Sequence, residues 1–277
     1  LSSGQYVIFL DGDDRYEPNM LEQMAAKLDE TCADVVCCGL QVHEPDGLKT
    51  LLFSPVLCKQ LDLYNSKGGG TAVDQLTPFT LKTVFFQPSL FPAPWNKMIR
   101  RNFLQEHHIV FPEILVGEDS CWRLQLLLKA RHIALVNAVL YHYIIRPSSV
   151  SQERSARSLQ AFLQQLDFEH RTLKQSALLQ RIPNMWLFHY WDTFFSNYNK
   201  ISAHPELQRQ LLTLGCDFCQ THGISYNVKG IPLAGRLGSH KLIPKLAPLL
   251  PMRTALKEQY RVARHLRRFT RLLRASD

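Results

Sequence analysis

Five apolar residues, Tyr6-Val7-Ile8-Phe9-Leu10, run without a break into Asp11-Gly12-Asp13-Asp14. An uninterrupted apolar run suits a strand covered on both faces, as in a parallel sheet flanked by helices. Open sheets of that kind bind ligands beyond the carboxyl ends of their strands, and here the strand ends in carboxylates. In extended backbone, residues two apart share a side, so Asp11 and Asp13 are expected to converge on one ligand while Asp14 turns away. Gly12 leaves room for a close approach between them. Two hard oxygen donors favour Mg2+ or Mn2+, which in turn favours phosphate oxygens, so a diphosphate is a candidate ligand. Asp and Gly are also turn formers, and the same four residues read equally as a polar turn.

A chain of 277 residues that is 45% hydrophobic can build one large or two ordinary domains with a real core. No uncharged apolar stretch reaches the length of about 18 residues that a membrane-spanning helix needs, and Leu1-Ser2-Ser3-Gly4 lacks the features of a signal peptide. The seven cysteines are odd in number and follow no framework spacing, which points to reduced thiols and a cytoplasmic setting. Cys216 and Cys219 sit at metal-like spacing but have no second pair, so helical packing is the expectation there.

Along the chain, Glu17-Pro18-Asn19 opens a helix whose stripe is Met20, Leu21, Met24 and Leu28, and Ala33 to Gly39 reads as a buried strand. Residues 5 to 40 therefore form one βαβ unit. Pro45-Asp46-Gly47 has the residue order of a hairpin turn between Gln41-Val42 and Leu51-Leu52-Phe53. Lys67-Gly68-Gly69-Gly70 reads as a plain flexible loop, with a helix somewhere in Val73 to Phe86. A second acidic pair, Glu118-Asp119, opens a helix over Ser120 to Ala130, where the dipole would stabilise both carboxylates in ionised form without any chemistry. A strand from His132 to Tyr143 follows.

Beyond Ser151 the texture turns helical, with Leu159, Phe162, Leu163, Leu166 and Leu173 on one helix. A second helix carries Trp186, Leu187, Tyr190, Trp191, Phe194 and Tyr198, read as core or docking surface rather than a base-stacking platform. A Pro- and Gly-rich connector spans Gly230 to Pro251. The net charge of +8 is concentrated in Met252 to Asp277, where eight Lys or Arg face two acids. On a helical wheel Ala255, Val262, Leu266, Phe269 and Leu273 share one sector, while Arg253, Lys257, Arg261, Arg264, Arg268 and Arg271 fill the other. Such a helix suits the anionic inner face of a membrane, and equally a terminal helix packed on its own domain. No nucleic-acid-binding module surrounds these residues, so nucleic acid is not expected as a partner. The expected architecture is an α/β mixed sheet flanked by helices over residues 1–150, a helical region over 151–229, and the connector with its basic helix over 230–277.

In their order and spacing, Gly4 to Asp14, Glu17-Pro18 with Met20-Leu21-Glu22, Trp95-Asn96-Lys97, Phe111-Pro112, Gly117-Glu118-Asp119-Ser120 and Leu140-Tyr141-x-Tyr143 resemble family-two glycosyltransferases of bacterial surface-polysaccharide synthesis. The resemblance covers residues 1 to about 150 and implies a GT-A fold. It also implies inverting transfer of a sugar from a nucleotide-diphosphate donor to a saccharide or lipid-linked acceptor. Carried over residue by residue, it puts Asp11 and Asp13 on the metal and on the ribose or diphosphate, with His142 completing the metal site. Asp119 becomes the catalytic base with Glu118 beside it, and Asp14, Trp95, Asn96 and Lys97 fall on the donor or acceptor side, although Trp95 could equally be core.

The chemistry agrees with these residue types. A departing diphosphate builds charge that a cation can neutralise, and an acceptor hydroxyl must lose its proton as it attacks. One departure stands out: the family's opening strand-helix-strand units, which hold the base and ribose, have no counterpart before the acidic strand. The chain is thus expected to be a piece of a longer protein or a truncated, inactive descendant that binds a membrane or partner. A haloacid-dehalogenase-type phosphatase is the rival enzyme class, but it expects Thr or Val where Arg15 stands.

Overall fold

The computed structural model describes residues 2–86, 90–146, 155–176, 178–182 and 203–223, together with 186, 189, 190, 193, 194, 197, 198 and 201. The connector and basic helix expected over 230–277 lie outside the described residues. Six strands form one mixed sheet: β1 (Tyr6–Ile8), β2 (Arg15–Tyr16), β3 (Val35–Glu44), β4 (Gly47–Leu51), β5 (Lys97–Arg100) and β6 (Ile133–Ile144). Their order is β1-β5-β3-β6-β2, with β4 paired to β3. Only the long β3–β6 pair is parallel, and the other pairings are antiparallel. The helices of the same unit are α1 (Met20–Thr31), α2 (Pro55–Ser66), α3 (Pro78–Phe85), α4 (Arg101–Glu106) and α5 (Glu118–Lys129).

Helix α1 forms where the sequence places it, since Met20, Met24 and Leu28 recur on one side and are fully buried. That stripe packs on Val36, Cys38, Leu40 and Val42, the alternate residues of β3, and on Trp95, Met98 and Tyr141 from its neighbours. The run Val35 to Leu40 is buried at every position, as a central strand with both faces covered requires. Strands β1 and β3 run in the same direction with β5 between them, so the expected βαβ unit is present but its strands are not adjacent.

Three local expectations change. The opening apolar run is not a doubly covered parallel strand: β1 pairs antiparallel with β5 and is only half-buried. The run is shared out instead, with Tyr6, Ile8 and Phe9 packed against the core and Leu10 53% exposed. Lys67 to Gly70 is no loose loop, because a 3-10 turn (Gly69–Gln75) begins there and Gly70 presses on α5. A Cβ on Gly70 would lie 2.0 Å from the Leu127 carbonyl oxygen, a distance only glycine allows. The Tyr64 hydroxyl donates to the carbonyls of Leu127 and Ala130 at 2.6 and 2.7 Å and ties α2 to the same helix end. Strand β5 was hidden because its four residues begin and end with a cation, Lys97 and Arg100. The hairpin over Pro45-Asp46 forms as read, with Glu44 opposite Gly47.

The chain divides into two compact units, one of Leu1–Glu153 with Phe168–Ile182, the other of Arg154–Asp167 with Pro183–Asp277. Helix α6 (Ala156–Gln175) contributes to both, and α7 (Leu178–Arg181) belongs to the first. In the second unit Trp186, Tyr190, Phe194 and Tyr198 recur every fourth residue and are buried, so these aromatics are core. Helix α8 (Pro205–His222) carries the Cys216-x-x-Cys219 pair, with Cys219 buried against Tyr190, whose ring stacks on Phe218 at 5.2 Å. No helix among the described residues is long and apolar enough to cross a membrane.

Candidate active site

Chain geometry after β1 differs from the extended arrangement expected of the acidic motif. The Asp14 amide donates to the Asp11 carbonyl at 3.1 Å, so Asp11 to Asp14 is a closed turn. Asp14 fastens that turn to the far end of β6, accepting from the Tyr141 hydroxyl at 2.6 Å and from the Ile144 amide at 2.8 Å. Both of its oxygens are therefore engaged by the protein. Asp13 meets the Arg146 guanidinium at 3.3 Å, with both side chains still partly in solvent. A Cβ placed on Gly12 would meet nothing within 4 Å, so that flank of the turn is open. Burial, then Asp14, Asp13 and Glu118, push the Asp11 carboxyl above its ordinary range.

The second acidic pair opens α5 directly after Gly117, whose φ of 92° is one that glycine accepts. Three aromatic rings join this helix end to the acidic turn. Phe9 meets Phe111 and Trp122 edge-on, with centroids at 5.5 and 5.8 Å, and Phe111 stacks on Trp122 at 5.0 Å. Through this cluster Glu118 comes close enough to raise both Asp11 and Asp119, and Asp11 to raise Asp119. Asp119 is pushed up to about 7 by burial first, then by Glu118 and Asp11, while Lys97 pulls the other way. The dipole of α5 was expected to keep this carboxyl ionised, but desolvation and two like charges outweigh it.

Trp95, Asn96 and Lys97 form the wall behind the turn rather than an exposed surface. Trp95 is 3% exposed and stacks on Tyr141 at 4.1 Å and on Tyr143 at 5.4 Å, beneath the tyrosine that holds Asp14. Asn96 donates to the Cys38 carbonyl at 3.0 Å. The buried Lys97 ammonium donates to the carbonyls of Phe91 and Ala93 and to Asn96 Oδ1, at 2.5, 2.7 and 2.7 Å, which uses all three of its protons. Burial lowers its pKa to about 8. Sequence reasoning had no signal for this role, since a lysine in a polar motif reads as a ligand contact.

His142 does not join the aspartates. Its Nε2 pairs with Glu17 Oε1 at 2.6 Å and its Nδ1 with His43 Nε2 at 3.0 Å, so both ring nitrogens are engaged away from the turn. Among the described residues no three His, Cys, Asp or Glu side chains gather so as to hold a metal ion. Two carboxylates beside an open flank suit a different kind of site, in which a hard cation completes its shell with waters and substrate phosphates. Sequence reasoning missed Tyr141, Arg146, Phe9 and Phe111 as parts of this site. The aromatic Tyr-x-Tyr spacing and the Phe before the acidic turn were the signals available.

Comparison with known proteins bears on the family likeness and the fold. Residues 1–107 match the glycosyl transferase family 2 profile, a stretch that contains the acidic turn and Trp95 to Lys97 but ends before Glu118. EpsH of Bacillus subtilis (strain 168), named as a glycosyltransferase, is 31% identical over 153 residues, covering 54% of this chain and 40% of its own length. The cholesterol galactosyltransferase of Borreliella burgdorferi is 25% identical over 189 residues, covering 67% of this chain and 49% of its own. The chain thus spans less than half the length of these two relatives. Among solved structures, S. aureus TarS 1–349 in complex with UDP-GlcNAc superimposes with a TM-score of 0.55 over 96% of this chain and 69% of that one, at 18% identity. Residues 1–107 are thus similar to glycosyl transferase family 2, and the mixed sheet that carries them has the GT-A fold of the TarS structure.

Proposed function

We propose that this chain takes part in metal-dependent, inverting glycosyl transfer, moving a sugar from a nucleotide-diphosphate donor to a saccharide or lipid-linked acceptor in cell-surface polysaccharide synthesis at the cytoplasmic side of the membrane. The observation that carries the reading is the convergence of two acidic elements distant in sequence. Asp11 on the turn after β1 and Glu118-Asp119 at the start of α5 are joined by Phe9, Phe111 and Trp122.

Asp11 and Asp13 would hold Mg2+ or Mn2+, and a bound cation would neutralise the charge that grows on the departing nucleoside diphosphate. Asp119 accepts the proton of the acceptor hydroxyl at a carboxylate oxygen as the new glycosidic bond forms and the bond to diphosphate breaks. A base poised near neutrality suits that step. Glu118 keeps Asp119 basic by repulsion. Asp14 and Tyr141 hold the turn in place, while Trp95, Asn96 and Lys97 keep the wall behind it rigid and dry. His142 braces Glu17 against β3 and is left out of the cation site.

UDP-GlcNAc, bound by TarS, is the first donor to try, and the Borreliella relative's name argues for an acceptor with an apolar part. Incubation with UDP-GlcNAc, Mn2+ and a lipid-linked acceptor should release UDP in the folded chain. Release should be lost in Asp13→Ala and in Asp119→Asn. Turnover by Asp119→Asn at the parent rate would reject the base assignment, and transfer unaffected by chelation would reject the cation.

A further inference from the structure

We propose that Arg146 is an exchange arm of the acidic turn: it neutralises Asp13 in the chain by itself, gives that carboxylate up to a divalent cation, and passes to the diphosphate of the nucleotide that binds with the cation. The inference rests on the reading of Asp11 and Asp13 as the cation site. The three aspartates of the turn are satisfied in different ways. Asp14 is fixed by groups anchored in the sheet, accepting from the Tyr141 hydroxyl at 2.6 Å and the Ile144 amide at 2.8 Å. Asp11 is set against burial and the like charges of Asp14, Asp13 and Glu118. Asp13 has the tip of a long side chain, with Arg146 Nε 3.3 Å from its Oδ2. That is longer than a tight charge-assisted hydrogen bond of about 2.7 to 2.9 Å, and the two side chains are 58% and 38% exposed. A pair so placed is favoured over its separated partners by no more than about fivefold. Asp14 is thus held permanently, and Asp13 by a partner that can leave.

The root of the arm is fixed and its tip is not. The Ile144 amide is spent on Asp14 and the Ile145 amide on the His43 carbonyl at 3.2 Å, so the backbone is pinned up to the residue before Arg146. The clamp that seats Asp14 therefore delivers a guanidinium to Asp13. Tyr143 gives a second sign that the end of β6 lies against the turn, because its phenol is pushed up by burial first and then by Asp14, Asp11 and Asp13. The flank at Gly12, where a Cβ would meet nothing within 4 Å, leaves the turn open to a ligand. While the guanidinium stays, a divalent cation at Asp13 meets a like charge beside it. Once displaced, Arg146 has its N–H donors free for another anion. Phosphate oxygens that share the cation's shell lie beside the carboxylate that holds the cation, within the sweep of the same side chain. The planar fork of arginine matches such oxygens two at a time. The cation frees Arg146 for the diphosphate, and the diphosphate draws Arg146 off the carboxylate that the cation needs, so each strengthens the other.

Two titrations of the 277-residue chain test the exchange. Free Mn2+ followed by electron paramagnetic resonance, with no nucleotide present, measures the carboxylates alone. Arg146→Gln should tighten that binding by about two- to fivefold, because it removes the competitor, and Arg146→Lys, which keeps the charge, should stay near the parent value. Calorimetric titration with UDP at saturating Mn2+ should show the opposite sign, a loss of about five- to tenfold in Arg146→Gln. A surface ion pair with no further duty gives the first change without the second. Equal UDP affinity in the parent and in Arg146→Gln therefore overturns the transfer to diphosphate, and Mn2+ binding no tighter in Arg146→Gln than in the parent overturns the competition for Asp13. Asp13→Asn distinguishes these failures from failure of the cation reading. Mn2+ binding that it leaves unchanged, or that is absent from the parent and Arg146→Gln alike, sinks the cation site and the exchange with it. Both side chains stand partly in solvent, so neither substitution disturbs the core.

Discussion

Asp119 is held against its own preference. A carboxyl whose folded pKa stands near 7 binds its proton more tightly in the folded chain than in the unfolded one, so folding stability is fully present below about pH 4 and is lost as pH rises through 7. The size of that loss is on the order of a few kcal/mol. Asp119→Asn should remove it: the melting temperature should no longer fall between pH 5 and 8 and should match or exceed the parent value at pH 8. The same variant should lower kcat/KM by about a hundred- to ten-thousandfold. A residue kept only for structure would not separate the two readouts in this way. Lys97 is the opposite case, a charge whose three protons are all spoken for by a loop. Lys97→Met leaves buried carbonyls without donors and should cost roughly 3 to 5 kcal/mol, read as a drop in denaturant midpoint at constant slope.

At the level of elements, α1, α5, β3 and β6 were legible because each is long and bears an unbroken stripe or apolar run. The hairpin was legible from its turn residues. Strand β1 was legible as a strand but not in its pairing, and β5 was not legible at all. Their few residues owe their place to partners supplied by the sheet, and the identity of those partners is a tertiary fact. The site followed the same rule. Asp11, Asp13, Glu118 and Asp119 announced themselves by residue type, whereas the duties of Asp14, Trp95, Asn96 and Lys97 depend on contacts that no local pattern encodes. The glycines at Gly68 to Gly70 looked like slack, but Gly69 and Gly70 are a packing surface against the end of α5. Gly70→Ala should lower the midpoint of chemical unfolding by at least as much as a typical overpacked core variant, about 1 to 3 kcal/mol. An unchanged midpoint would mean that α5 can draw back from the turn without loss.

For the whole molecule, the basic segment Met252 to Asp277 carries six of the eight net positive charges. Its removal should weaken binding to vesicles containing phosphatidylserine and flatten the salt dependence of that binding. Binding unchanged by the deletion would end the membrane argument for this segment. The fastening of the acidic turn has a different consequence, one of timing. Tyr141 and Ile144, which hold Asp14, lie 127 and 130 residues downstream of it. A ribosome must therefore deliver the sixth strand before the first aspartates acquire their shape. Until that moment the nascent chain has its acids but no grip, and any ligand of the turn meets only an unformed loop.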